Sequence, residues 1–388
     1  MPQLADRASC TGCTACISVC PQKCITMSKD DNGFLYPIIE EKNCVSCGLC
    51  ESTCPIIHIR VTDHCPIAYA AYVNDTDTRL ASSSGGIFTA LSQYVLCQGG
   101  VVYGAAYDES FHIKHICIED RSSLHKLQGA KYAQSDLNNV FLDVQNRLKN
   151  QQIVLFSGTP CQIGGLKAYL RTEYDNLITV DFICHGIPSP MVWEKYIDHL
   201  VQSFGHIRSI NFRDKSTGWS NYRYSIRFLS ENGAEHVVPS GDNLYMQLFV
   251  QDFINRTSCT NCHFKGFARQ SDFTVGDFWG VWDILPEMDD DRGTSVILVH
   301  SEKAKVLWNL LEKSLVYKEI SLADVSQQNP SVLVSSCANP NREAVLTSIR
   351  NGCFAACADY FPTQKPSHQN NLGQFFKNLL HRIFSKLR

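Results

Sequence analysis

From residue 67 onward the chain alternates between two apolar rhythms. Residues 68–73 and 101–107 are short apolar runs, and 112–118 reads His-Ile-Lys-His-Ile-Cys-Ile, apolar at every second position, as in a half-buried strand. Between and after them, Ile87, Phe88, Ala90, Leu91, Tyr94 and Val95, then Val140, Phe141, Val144 and Leu148, recur at helical spacing. The intervening stretch 74–79 is polar and reads as a connection. From residue 153 the pattern becomes strand, loop, helix, twice over. Residues 153–156 are an apolar strand, 163–170 a helix, 178–183 a second strand, and Val192, Trp193, Tyr196, Ile197, Leu200, Val201 and Phe204 mark an amphipathic helix. Such alternation predicts parallel pairing, with ligands gathered at the carboxyl ends of the strands. Segments 223–229 and 235–238 flank Asn232-Gly233, a hairpin signal that adds an antiparallel portion, and an apolar stretch follows at 244–254.

Composition changes this picture in one respect. A hydrophobic content of 44% in 388 residues allows sizeable cores in two or three domains. Lys and Arg number 35 against 38 Asp and Glu, a net charge of −3, so no basic field calls for a nucleic acid. No apolar run approaches the roughly 20 residues that cross a bilayer, and residues 1–9 lack an apolar secretory core, so a cytoplasmic protein is expected. The unusual number is 19 cysteines beside 5 methionines. In a reducing compartment that many thiols point to metal ligation rather than to disulfides.

Their spacing identifies the metal chemistry. Cys10, Cys13, Cys16 and Cys20 form C-x2-C-x2-C-x3-C followed by Pro21; Cys44, Cys47, Cys50 and Cys54 repeat it before Pro55, 34 residues further on. Three thiolates two residues apart wrap three corners of a cubane, and in the bacterial ferredoxin pattern the fourth ligates the other cluster. Cys10, Cys13, Cys16 and Cys54 are therefore assigned to one [4Fe–4S] cluster, and Cys44, Cys47, Cys50 and Cys20 to a second. Zinc ribbons also use paired C-x2-C, but not two complete copies of this run with both prolines. Two clusters in one small module make an electron port. Cys24 falls outside the pattern and reads as a small core residue; Cys337, Cys353 and Cys357 read as core or incidental thiols.

Other chemistry-bearing residues follow. Ser83, Ser84, Gly85 and Gly86 precede a helix, where exposed N–H groups can receive a phosphate or merely cap the helix. Gly129, Lys131 and Tyr132 add a cation and a ring in a loop. Cys161 and Cys184 sit at strand ends, the former after Thr159, and together with Cys259 and Cys262 they can bind a third [4Fe–4S] cluster; a redox dithiol with two buried thiols is the alternative.

Ser83-Ser84-Gly85-Gly86, Gly129-Ala130-Lys131-Tyr132, Ser157-Gly158-Thr159-Pro160-Cys161-Gln162, Cys184-His185-Gly186, and Cys259-x2-Cys262 with Gly276-Asp277-Phe278-Trp279-Gly280 occur in that order. This series, from about residue 67 to about 311, resembles the beta-subunit family of coenzyme F420 hydrogenases and dehydrogenases, here with a ferredoxin module fused in front. The resemblance implies a small bacterial-ferredoxin-like α+β domain over 1–62, a mixed α/β flavin-binding core over 67–150 and 151–320, and a C-terminal extension over 321–388. It implies FAD beside a third cluster, with hydride chemistry at the flavin coupled to one-electron transfer. Relatives act on a deazaflavin, serve formate or hydrogen oxidation, or reduce chlorophyll-type pigments. Carried over, Ser83, Ser84, Gly85, Gly86, Gly129, Lys131, Tyr132 and Thr159 become flavin contacts, and Cys161, Cys184, Cys259 and Cys262 the ligands of that third cluster. Asp277 reads as a partner of flavin or substrate, or as a turn residue; His185 reads as a proton donor, or as a structural neighbour of a ligand.

Three functions remain open. The leading one is an oxidoreductase with a redox partner protein, a ferredoxin or other electron-transfer subunit, and a small-molecule substrate. The others are a non-catalytic electron-transfer subunit and a binding protein stapled by its clusters. At the C-terminus Leu372, Phe375, Phe376, Leu379, Leu380, Ile383, Phe384 and Leu387 share one helical face opposite Lys377, Arg382, Lys386 and Arg388. Such a basic amphipathic helix can lie on the inner face of a membrane, dock to a partner, or pack on its own domain.

Overall fold

A computed structural model of the chain describes residues 2–60 and 62–360, so the amphipathic segment at 372–387 lies outside the described residues. The front module pairs β1 (Ile25–Lys29) with β2 (Leu35–Ile39) antiparallel, and two short helices, Ala15–Val19 and Leu49–Ser52, pack on one another beside that hairpin. The 34-residue repeat extends to the backbone. Gly12 and Ser46, and likewise Thr14 and Gly48, all take positive φ (71°, 52°, 66° and 73°). Left-handed bends at matching places turn each cysteine run back on itself, although only one member of each pair is glycine.

The core begins with β3 (Ile67–Val73), β4 (Val101–Tyr107) and β5 (Ile113–Ile118), and continues with β6 (Val154–Ser157) and β7 (Leu177–Phe182). A separate three-stranded antiparallel sheet holds β8 (Ile207–Asp214), β9 (Ser225–Ser230) and β10 (Glu235–Pro239). The chain then returns through β11 (Phe273–Asp277), β12 (Ser295–Val299) and β13 (Leu315–Ile320), which complete an eight-stranded sheet in the order β13-β3-β12-β11-β7-β6-β4-β5. Its centre, β4-β6-β7-β11, is parallel, and the pairs outside it are antiparallel. Strands from residues 67–150 and from 151–320 thus interleave in one sheet.

Alternation along each strand builds two cores. Val102, Leu155 and Ile178 face the helices Ile87–Cys97 and Glu302–Leu311, while their neighbours Val101, Tyr103, Val154, Phe156 and Leu177 face Val140–Lys149 and Pro160–Leu170. The sheet is therefore sandwiched between helices. Phe212, Ile226 and Phe228 of the small sheet pack instead on Pro190–Phe204 and Leu244–Val250.

Several local expectations are corrected. The polar stretch 74–79 is not a bare connection: Asp75 caps a helix, Thr76–Ala81, by accepting from Thr78 N at 2.9 Å, and Arg79 is buried against Asp290 (2.6 Å) and the Tyr72 ring. The helices expected from 163 and 192 start at Pro160 and Pro190, because proline suits a first helical position and Thr159 and Ser189 cap them. Strand β8 was not anticipated at all.

The module is seated on the core at several points. The Asn32 carbonyl accepts from Ser189 Oγ (2.6 Å) and Met191 N (3.2 Å), and Arg171 Nη2 donates to Thr53 Oγ1 at 2.8 Å. At Gly33 (φ 79°) an added Cβ would lie 2.7 Å from Met191 N. Gly33→Ala should therefore cost about 1–3 kcal/mol and pry the module from the core. Limited proteolysis should then cut faster at 56–66. Gly99→Ala, at φ 73° but with open space around it, should cost about 1 kcal/mol and leave that linker protected.

Candidate redox site

The cysteine runs close around two small cavities in the module. Cys10, Cys13, Cys16 and Cys54 line the first, with Thr11 and Gly12 between them. Cys20, Cys44, Cys47 and Cys50 line the second, together with Cys24, whose buried Sγ lies 3.5 Å from Cys20 Sγ. Each loop crosses to the other for its fourth thiol. Burial pushes the Cys13 thiol up to about 12, so the free thiol is protonated and a metal that binds there displaces the proton.

A third cavity lies in the core. Strands β6 and β7 are parallel neighbours, so the segments beyond their carboxyl ends put Cys161 and Cys184 side by side. Cys161 stands in the first turn of Pro160–Leu170, while Cys259 and Cys262 come from the 3-10 turn Thr257–Asn261 and its end. All four line one space, with Arg256, Lys265 and Arg269 also in its wall. Lys265 Nζ donates to the carbonyls of Cys184 (2.5 Å) and Ser331 (2.8 Å). Burial raises Cys184 and Cys259 to about 12. Among the described residues no three Cys, His, Asp or Glu side chains converge on a point as a single ion requires. The thiols ring a volume instead, which suits a polynuclear cluster.

The cavities adjoin. Thr11 stands in the walls of the first module cavity, of the third cavity and of a much larger fourth one, and Cys161, Cys184 and His185 are shared by the last two. Gly165, on the helix that carries Cys161, lets the Cys13 loop close in: an added Cβ there would sit 2.9 Å from Cys13 Sγ.

The fourth cavity holds about 390 Å³, within the range of cofactor pockets. Ser83, Ser84, Gly86, Gly129, Lys131, Tyr132, Thr159, His185 and Asp277 all line it, though several are occupied in ways the sequence did not suggest. Gly85 faces the sheet: its N–H donates to Ser295 Oγ (2.8 Å), and an added Cβ would strike Ala71 O. Ser84 Oγ donates to Thr294 O at 2.9 Å. Lys131 is no free cation. Its amine donates to the carbonyls of Lys126 (3.1 Å), Gln128 (2.6 Å) and Gly129 (3.2 Å), which the end of a 3-10 turn leaves available, and burial lowers it to about 7. The Tyr132 ring packs on Phe212 and Phe249. Thr159 caps its helix in a reciprocal box with Gln162, and its Oγ1 lies 3.0 Å from Cys161 Sγ. His185 Nε2 lies 2.9 Å from Asp252 Oδ1 and its Nδ1 3.4 Å from Ser331 Oγ.

Asp277 leads to a residue that sequence reasoning missed. Its Oδ1 accepts from Arg213 Nη2 at 2.8 Å, and burial raises its pKa even beside that cation. Arg213, 4% exposed, lies over the Tyr224 and Trp279 rings, and among the described residues its Nε has no hydrogen-bond partner. Lys215 Nζ donates to the carbonyls of Arg79 and Ser84, both at 2.7 Å. The signal was there: Ile207, Ile210 and Phe212 mark a strand, Ile207–Asp214, that carries Arg213 next to its end. Lys265 and Arg269 follow Cys262 within seven residues, where cations beside an anionic cluster are to be expected.

Models of the coenzyme F420 hydrogenase/dehydrogenase beta subunit match at residues 68–141 (N-term) and 151–325 (C terminus), and a 4Fe–4S dicluster domain matches at 9–56. An uncharacterized ferredoxin of Methanocaldococcus jannaschii is 36% identical over 52 residues, 13% of this chain and 66% of the relative. The VorC subunit of ketoisovalerate oxidoreductase of Methanothermobacter marburgensis is 36% identical over 55 residues, 14% of this chain and 70% of the relative. A ferredoxin of Saccharopolyspora erythraea is 41% identical over 58 residues, 15% and 50%. The chain thus spans half to seven-tenths of these relatives' lengths. Among solved structures, the F420-reducing [NiFe] hydrogenase complex from Methanosarcina barkeri aligns at 18% identity with a TM-score of 0.49, covering 76% of this chain and 97% of that one. The ordered motifs and both halves of the match lead to one statement: the chain belongs to the coenzyme F420 hydrogenase/dehydrogenase beta-subunit family, preceded by a 4Fe–4S dicluster domain.

Proposed function

We propose that the protein is an iron–sulfur flavoprotein oxidoreductase. Electrons pass between the two module clusters, a third [4Fe–4S] cluster at Cys161, Cys184, Cys259 and Cys262, and FAD in the large cavity, where hydride moves to or from a small molecule such as a deazaflavin. The observation that carries this reading is the run of adjoining cavities, with Thr11 common to three of them and Cys161 and Cys184 walling the last. Bound FAD supplies the exchange between single electrons and a hydride.

The chain's own side chains fit such a guest. Arg213, with one nitrogen unsatisfied on a largely apolar wall, offers a buried donor to an anionic or carbonyl group, and Asp277 holds its guanidinium in place. Ser83, Ser84 and Gly86 supply the start of a helix for phosphate oxygens. His185, with Nδ1 on Ser331 Oγ and Nε2 close to the Asp252 carboxylate, positions the Cys184 loop between them.

A second reading, an electron-transfer subunit without its own substrate, is favoured by the rim of the second module cavity. Cys47 is exposed there, and Val45 is 61% exposed, so another redox protein can approach that edge. On either reading the partner is a ferredoxin or comparable electron carrier.

Metal analysis of anaerobically purified protein should give about twelve irons per chain, and Cys161→Ser about eight, with the module's spectrum kept. Cys97→Ser, at an exposed thiol, should leave the count unchanged. One FAD per chain is expected, and Arg213→Gln should weaken its retention about tenfold or more on a desalting column, through loss of a charge-assisted contact of about 1.5–3 kcal/mol. The deciding experiment follows flavin absorbance with a reduced deazaflavin, NAD(P)H or reduced ferredoxin. Bleaching by a small-molecule donor supports the enzyme; bleaching only when a partner protein is present supports the subunit. Protein with eight irons and no flavin would sink both.

A further inference from the structure

Behind the third cavity runs a chain of polar side chains that neither the clusters nor the large cavity use. His64, half-buried in the linker, places Nε2 3.0 Å from His300 Nδ1. His300 Nε2 lies 2.8 Å from Thr274 Oγ1, and Thr274 Oγ1 donates to Asp181 Oδ1 at 2.5 Å. Asp181 Oδ2 is 3.8 Å from Arg269 Nη1, and both side chains are almost wholly buried. Arg269 lines the space ringed by the four cysteines, and among the described residues neither of its terminal nitrogens has a hydrogen-bond partner.

The directions are consistent from end to end. Because the Thr274 hydroxyl donates to Asp181, it accepts from His300 Nε2–H. His300 Nδ1 is then the bare nitrogen, and it accepts from His64 Nε2–H. His64 Nδ1 is left to take a proton from solvent. One hop along each bond carries a proton from the surface to the Asp181 carboxylate and leaves both imidazoles in the opposite tautomer, so the chain resets when the rings turn over or when the proton returns along it.

We propose that His64, His300, Thr274 and Asp181 form a proton relay that couples electron arrival at the third cluster to uptake of one proton from solvent onto Asp181. This rests on the third-cluster reading given above. The balance is one electron in, from the module's clusters or a chemical reductant, and one proton in, from water. Asp181 gains the proton and loses its charge. Arg269, released from that carboxylate, then faces the added negative charge alone. No bond to the cluster forms or breaks.

The groups around the relay bear on when it works. Burial lifts Asp181 to about 6, while Arg269 and the hydroxyls of Thr274 and Ser271 pull it back. Burial, with His64 and Arg269 as neighbours, lowers His300 to about 3, so it stays neutral and passes protons without storing them. The adjacent carboxylate of Asp272 is taken up by Thr179, Ser301 and Lys303. Lys265 stands beyond Arg269 at the same cavity. Above about pH 6, then, Asp181 is ionised before the electron arrives and can take a proton afterwards. Below it the carboxyl is protonated in both states, and the coupling vanishes.

The test is a redox titration of the whole, cluster-loaded protein, followed by electron paramagnetic resonance at several pH values after the iron has been counted. The third cluster is identified as the signal missing from Cys161→Ser. Its midpoint should fall by up to about 59 mV per pH unit above about pH 6, the value for one proton per electron, and level off below. Asp181→Asn, which keeps shape and the acceptor for Thr274, should flatten the slope with the signal intact. His64→Leu, at the rim where folding is not at stake, should keep the slope but slow reduction by dithionite several-fold and abolish its sensitivity to deuterium oxide. A pH-independent midpoint in protein with about twelve irons overturns the relay and leaves the third cluster standing. An unchanged slope in Asp181→Asn, or unchanged kinetics in His64→Leu, overturns it too. About eight irons in the wild type removes the third cluster and the relay together.

Discussion

The arrangement of the whole molecule turns on one buried guanidinium. Arg256 belongs to the core, yet Nε donates to Cys10 O (2.8 Å), Nη2 to Leu35 O (2.9 Å) and Nη1 to Gln134 Oε1 (3.0 Å), while its face lies over Tyr36 and Phe34. Its own backbone is fixed as well, with N donating to Ile187 O and O accepting from Cys259 N. One residue therefore ties the first cysteine run, the β1–β2 hairpin, the wall of the large cavity and the third thiol set into a single geometry. Its three hydrogen-bond partners are uncharged. A buried cation is costly without a counter-charge, and on the proposed reading the anionic clusters held by the thiols around it supply one.

The same logic organises the third cavity. Arg256, Lys265 and Arg269 surround four buried thiols, whereas exposed Cys47 marks the outer edge of the module. Cations held in a low-dielectric setting stabilise added negative charge more than water-screened ones do. On the proposed reading, an electron arriving from outside is thus best accommodated at the inner end.

How much of this was legible in the sequence differs by range. Local periodicity placed β4 to the residue and four of the helices that cover the parallel strands and the small sheet, because each needs only its own neighbours. The two helix starts at Pro160 and Pro190 were placed late because an apolar period cannot register caps. The crossing of thiols between the two runs was legible because a repeat of fixed spacing encodes it. What was not legible were contacts between distant residues: Arg256 meets Cys10 across 246 positions, and Asp181 meets Thr274 across 93. In sequence a buried arginine looks like any surface arginine. Gly85 and Lys131 are engaged in ways the sequence did not show for a related reason, since their backbone and amine groups meet Ser295 and loop carbonyls that only the fold brings near.

Gly165 shows what such proximity is worth. Electron tunnelling weakens steeply with each added ångström, and more steeply across a gap than through packed atoms. By offering no side chain where the helix of Cys161 passes the Cys13 sulfur, this position removes a gap that any other residue would open. On the proposed reading, a residue with no functional group of its own thereby governs the rate of communication between two domains, and a search for chemically active side chains would pass it over.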